Sequence, residues 1–106
     1  MISRIWHGWT SPGNADAYES LLKEEIFVNI AKRQIKGYES IQLLRRNLAE
    51  ETEFITIMRF ASIEAVKEFA GEKYGKSVVP ENARKLLLRF DSNSQHYEVK
   101  AETKTG

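Results

Sequence analysis

The chain has no cysteine among its 106 residues. Disulfides, thiolate metal sites and a thiol nucleophile are thereby excluded. Histidine is nearly as scarce, with only His7 and His96. No apolar run approaches the roughly 18 residues of a membrane span. The first residues lack the apolar core of a secretory signal, because Arg4 and His7 interrupt it. Neither sign of charge dominates. Sixteen Lys and Arg stand against fifteen Asp and Glu, a formal charge of +1, whereas a polyanion binder normally carries a basic excess on one face. Gly71 and Gly75 make no phosphate loop, and neither a G-x-G-x-x-G nor a Walker pattern occurs. A cytoplasmic chain with no membrane or nucleic-acid partner is the expectation.

What is present suffices for one domain. Hydrophobic residues make up 42% of the chain, enough for a core at this length. That domain is expected over residues 1–100, with 101–106 a polar tail. Ile2 to Thr10 is rich in Ile and Trp, reads as a strand, and is closed by the turn residues of "SPGN". Asn14 is placed to cap a helix whose apolar stripe runs through Tyr18, Leu21, Leu22, Ile26 and Ile30. Gly37 stops that segment. Tyr38–Asn47 and Glu53–Phe60 read as a second and third strand joined by the polar connection "LAEET". Ser62 caps a second helix with Ile63, Val66, Phe69 and Ala70 on one face, and Gly71 ends it. A short third helix is expected within Pro80–Phe90, starting near Pro80, and a fourth strand over Ser94–Val99.

The order β-α-β-β-α-(α)-β is the split βαβ pattern. It predicts an α+β, ferredoxin-like fold with a four-stranded antiparallel sheet and two helices over one face. The third strand carries Ile55 and Ile57 on one face, and Phe54, Met58 and Phe60 on the other. A sheet apolar on both faces needs a second cover. A homodimer in which the bare faces meet supplies one.

Three stretches, "LLRRN" (Leu43–Asn47), "EFITIMRFASIEAVKEFAGE" (Glu53–Glu72) and "SQHYEV" (Ser94–Val99), resemble the antibiotic biosynthesis monooxygenase family, a branch of the dimeric α/β-barrel superfamily. The resemblance extends over nearly the whole chain. It implies a ferredoxin-like dimer closing as an α/β barrel. It also implies a monooxygenase that needs no metal or other cofactor and acts on a small reactive aromatic such as an anthrone or quinol. Such chemistry asks for a dry aromatic pocket, a base, and donors for a developing oxyanion. A non-catalytic ligand-binding or stress-response barrel, or an isomerase, fits the same scaffold. A sister branch degrades haem with an Asn on the first strand, a Trp on the second helix and a His beyond it. Here the corresponding places hold the Ile5–His7 neighbourhood, Phe69 and a position near Val79, so haem degradation is not expected.

The catalytic candidates are His7 and His96. In this fold the first and last strands are neighbours, and matching their midpoints sets the two imidazoles opposite each other. Such a pair repels when doubly protonated, so one pKa should fall and leave a neutral base. The bland reading is two hydrogen-bonded strand residues. Trp6 and Trp9 must point to opposite faces of their strand, with His7 sharing the face of Trp9. Candidate pocket residues are Trp9, Met58, Arg59, Phe69 and Tyr74. Arg59 sits in an apolar strand and is placed either to hold a phenolate or carboxylate or to form an ion pair. Tyr74, in the loop after the second helix, either donates to a substrate oxygen or anchors the loop. Arg45 and Arg46 read as a charged rim. Glu24, Glu25, Glu64, Glu68 and Glu72 read as solvated helix faces rather than a dimetal centre.

Overall fold

Strand β1 (Ile2–Thr10) ends where Ser11 and Pro12 turn the chain, in the computed structural model that describes residues 1–105. The Ser11 hydroxyl accepts from the Asn14 backbone N–H at 3.2 Å and caps a 3₁₀ turn, Pro12–Asn14. The cap expected at Asn14 is therefore supplied by Ser11, and the Asn14 amide donates instead to the Leu86 carbonyl at 3.4 Å. Helix α1 (Ala15–Leu21), a π-helical turn (Leu22–Ile26) and α2 (Phe27–Lys32) follow without a break in helical backbone. Gly37 then takes φ +89°, where a side chain is strained, and a Cβ there would stand 2.9 Å from that of Ala65. The site therefore needs glycine on two counts.

Strands β2 (Tyr38–Asn47) and β3 (Thr52–Phe60) form a hairpin closed by the Leu48 N–H donating to the Glu51 carbonyl at 2.8 Å. Helix α3 (Ile63–Ala70) begins with the Ser62 hydroxyl accepting from the Ala65 N–H at 3.3 Å, and Gly71 ends it. The helix expected within Pro80–Phe90 is confined to α4 (Glu81–Arg84). The rest is a correction: Leu87–Phe90 is a strand, β4, paired with Gly8–Thr10 of β1. Leu, Lys and Arg favour a helix intrinsically, but the open edge of β1 offers unpaired backbone groups, and that pairing wins. Strand β5 (Gln95–Glu98) pairs further along the same edge, with Ile2–Ile5.

The sheet is antiparallel with order β2-β3-β1-β4, and β5 also pairs β1. This is the ferredoxin-like order, with its fourth position filled by two short strands in tandem, so five strands occupy the four places expected. No helix among the described residues is long and apolar enough to cross a membrane.

All the helices lie over one face of the sheet, the face of Arg4, Trp6, Gly8, Thr10, Phe54, Met58 and Phe60. Its core has two halves. One, under α3, holds Ile35, Met58, Phe60, Ala65, Val66 and Phe69. The other, under α1, holds Ala15, Tyr18, Leu22, Phe54 and Ala83. Arg45 ties the second half to the sheet edge through Asp16 at 2.8 Å and Glu19 at 3.0 Å. The opposite face carries Ile5, His7, Trp9, Ile55, Ile57 and Arg59, and no helix among the described residues packs against it. The tail has no helix or strand through Thr105, but Glu102 reaches Arg59 at 2.6 Å.

Candidate active site: a cleft between the two halves of the core

The two halves of the core do not meet. Between them, under the helices, the sheet leaves a cleft walled by Trp6, Thr56 and Met58 from the strands, Tyr18, Leu22, Ile26, Phe27 and Ile30 from the first helical rod, Phe69 from α3, and Val78 to Pro80 from the following loop. About 520 Å³ of it is empty, counted to the open mouth, and about 70 Å³ of that lies far enough from the walls to seat the centre of a water molecule. Apolar and aromatic side chains make up most of its wall, the surroundings in which a small aromatic compound is bound. The π-helical turn lies beside it and contributes Leu22 and Ile26. Such turns are rare and often fall at functional sites.

Trp6 forms the strand-side wall because of two local features. Its ring lies across Gly8, the only residue type that leaves it room there, since an added Cβ would be 2.9 Å from the Trp6 ring edge. Its indole N–H is shared between the Ser77 hydroxyl at 2.7 Å and the Asp91 carbonyl at 2.8 Å. The indole therefore plugs the gap between β4 and β5.

Among the described residues, Arg4 is the one charged group in the wall. It is only 3% exposed. Its Nη1 donates to the Tyr74 carbonyl at 2.5 Å and to His96 Nε2 at 2.9 Å, and its Nη2 donates to the Lys76 carbonyl at 3.1 Å. The guanidinium lies 5.5 Å from the centre of the Phe69 ring. Burial pushes its pKa down to about 10, so it stays charged at neutral pH. Because an arginine can only donate, His96 Nε2 must be the acceptor and Nδ1 must carry the proton. Burial, and then the positive charge of Arg4, hold the His96 pKa below its ordinary value. Tyr18 also lines the cleft, and burial holds its phenol well above the usual range. It is a proton donor there, not a base.

The candidates read from the sequence separate into two groups. Met58 and Phe69 line the cleft. His96 and Tyr74 stand behind it, with their rings edge to face at 5.2 Å, and Tyr74 anchors its loop through its carbonyl to Arg4. His7, Trp9 and Arg59 are on the open face. There His7 stacks on Trp9 at 6.0 Å and its Nδ1 lies 3.2 Å from Glu53, while Arg89 covers the Trp9 ring at 3.8 Å. The Arg46 guanidinium, and after it His7, hold the Glu53 carboxyl below the usual carboxylate range.

The expected histidine pair does not form. His96 is opposite Arg4, not His7, and the two imidazoles are on different faces. Matching strand midpoints fails because the edge is two segments separated by the excursion at Asp91–Ser94. Arg59 takes the ion-pair role, with Glu102 as partner. Glu24, Glu25, Glu64, Glu68 and Glu72 are all exposed, as solvated faces should be. Arg4 is not among the site candidates that the sequence singles out. The available signal was parity, since Arg4 and Trp6 share a face and Trp6 was already separated from Trp9.

No protein-family model and no curated protein matches the sequence. The fold does recur among solved structures. A candidate antibiotic biosynthesis monooxygenase from Bacillus cereus superposes with a TM-score of 0.68 at 14% identity, covering 98% of this chain and 97% of that one. The haem degrader MhuD of Mycobacterium tuberculosis, solved with two haems in its active site, gives 0.58 at 21% identity, with coverage of 98% and 100%. SnoaB, a cofactor-independent oxygenase of Streptomyces nogalater, gives 0.55 at 15% identity, with 95% of each chain covered. At these identities the likeness is one of fold, and it agrees with the fold implied by the family resemblance of the sequence.

Proposed function

We propose that the chain takes a small flat aromatic compound into the cleft and oxidises it with O₂ as a cofactor-independent monooxygenase. The observation that carries this is the apolar cleft left open between the two halves of the core, where a merely structural protein would have closed its packing. In the reaction class, a ring CH₂ of an anthrone-like substrate loses a proton and the carbanion gives its electrons to O₂. One oxygen atom ends as the new C=O, and the other leaves as water with the two hydrogens. The wall of the cleft is mostly apolar and supplies hydrogen-bond donors, but holds no histidine or carboxylate. The substrates that fit are therefore those acidic enough to ionise on binding, with solvent taking the proton. His96 is assigned the role of holding Arg4 in place rather than that of base.

Haem degradation lies outside this reading. Phe69 and Val79 line the cleft where the resemblance puts the haem branch's Trp and His, and neither can ligate iron. Titration with haem should leave its Soret band unshifted. Oxygen uptake with a panel of anthrones and dihydroxynaphthalenes tests the main reading. Saturable binding without uptake would make the chain a binding module, and product formed without oxygen would make it an isomerase.

The proposed assembly is a homodimer through the open sheet face. Ile5, Ile55 and Ile57 form its centre, and Leu44, Leu88 and Tyr97 are 43%, 59% and 55% exposed around it. A second copy covers such a face with like against like. Sedimentation at micromolar concentration should give a dimer, and Ile55→Lys a monomer. Wild-type monomer alone would refute the assembly.

A further inference from the structure

We propose that the cleft selects an anionic aromatic, a ring bearing a carboxylate or an ionised hydroxyl, and that Arg4 is the specificity-determining residue that receives its oxygen. The proposal rests on the cleft being the ligand site and adds the charge of what enters it.

The argument begins with an imbalance. A buried charge normally has an opposite charge beside it. Arg4 is almost wholly buried, but no carboxylate lies within ion-pair distance of it among the described residues. Its three acceptors are two backbone carbonyls and a neutral imidazole, and its aromatic neighbour Phe69 adds only a ring face. Lys67, 6.0 Å over the Tyr74 ring, adds another positive charge nearby, not a negative one. If the role were only to pin the loop at Tyr74–Lys76, a neutral donor would do it without burying a cation.

The geometry also leaves donors free. A guanidinium has five N–H groups. Nη1 donates twice and Nη2 once, so Nε–H and one Nη2–H have no partner among the described residues. Arg4 is part of the cleft wall, not of a sealed core. Free N–H groups on a planar guanidinium bind a carboxylate or a phenolate strongly, and two-point contact adds to that strength. Phe69 lies between two cations, Arg4 at 5.5 Å and Arg33 at 5.4 Å from its ring centre. Arg33 spends its donors on the Phe69 and Glu68 carbonyls and pairs with no carboxylate among the described residues. It lines an adjoining depression that shares Phe69 with the cleft and also holds Glu25, which is exposed and screened. An anion beside Phe69 thus has two cations against the same ring, of which Arg4 is the desolvated one.

The test uses 2-naphthoate and its neutral isostere 2-naphthamide, titrated calorimetrically into wild type, Arg4→Met and Arg4→Lys, each checked for native circular dichroism. Wild type should bind the naphthoate about tenfold or more tightly than the amide, the ratio a charge-assisted bidentate contact gives in a dry site. Arg4→Met should bind both with a ratio below about twofold, and Arg4→Lys should fall between, because it keeps charge and loses the fork. Should Arg4→Met not fold, the wild-type ratio and Arg4→Lys still decide the matter. Equal wild-type affinities would overturn the charge selection and leave the cleft as a ligand site. A preference that survives in Arg4→Met would also overturn it, placing recognition elsewhere. Failure of both probes to bind would overturn the cleft reading itself.

Discussion

Replacing Gly8 by alanine should destabilise the protein, against the usual direction of such a change. In a strand with ordinary backbone angles, Gly→Ala normally stabilises by about 0.4–1 kcal/mol through the unfolded chain. Here the new Cβ would be 2.9 Å from Trp6 Cη2, and 3.1 Å from both Trp6 Cζ3 and Leu87 Cδ2. Carbon atoms rest about 3.5–4.0 Å apart, so the indole must move by more than about half an ångström. It is not free to move. Its N–H is held by Ser77 and Asp91, and Phe90 packs at 5.9 Å. Overpacking of this kind costs about 1–3 kcal/mol, and loosening the indole hydrogen bond about 0.5–1.5 kcal/mol. A net loss of about 2 kcal/mol is expected. Trp6→Phe removes the ring atoms that the Cβ would meet, so in that background Gly8→Ala should be neutral or stabilising. Urea denaturation of the four chains gives a coupling energy, expected at about 2–3 kcal/mol. The same cost in both backgrounds would refute the reasoning and assign the strain to Leu87.

Three further outcomes follow from single groups. Thr10 is fully buried, and its hydroxyl has no hydrogen-bond partner among the described residues, so Thr10→Val should keep or raise stability, by up to about 1 kcal/mol. A comparable loss in urea denaturation would show that the hydroxyl is satisfied. Ser62→Ala should cost about 1 kcal/mol by removing the cap of α3, with Ser62→Asp retaining most of it. His96 has a folded-state pKa lowered from its ordinary 6.5. The unfolded chain therefore binds the proton more readily, so the contribution of His96 is complete above that pH and is lost as pH falls toward the folded value. The stability of wild type relative to His96→Gln should decline through that window, and a pH-independent difference would count against the assignment.

The regular strands and the capped helix α3 were legible because local and tertiary preferences agree in them. The β-branched and aromatic run of β3, the turn residues after Thr10, and Ser62 with Gly71 around α3 each point the same way as the final packing. The edge of the sheet was not legible, for the opposite reason. "KLLLRF" has the composition of a helix, and its strand state exists only because β1 has an unpaired edge alongside. The excursion at Asp91–Ser94 has no periodicity to read, yet it displaces His96 from His7 and opens the gap that Trp6 fills. A register inferred from strand midpoints carries no information about such a gap.

The same reasoning separates the two arginines. Arg59 drew attention because its chain neighbours are apolar, but chain neighbours on a strand lie on the other face. Burial is decided by what stands on the same side and by which side the helices cover. On β3 the helix-covered positions are Phe54, Thr56, Met58 and Phe60, so Arg59 is turned to the open face and finds Glu102. On β1 the same side holds Arg4, Trp6, Gly8 and Thr10, directly across from Met58, Thr56, Phe54 and Thr52. A cation in that row stands against the apolar layer by construction. Had the strand been read as two rows, with the bulky aliphatic row of β3 taken as the helix side, the anomaly would have been Arg4. The functional question would then have been which anion lies beside it.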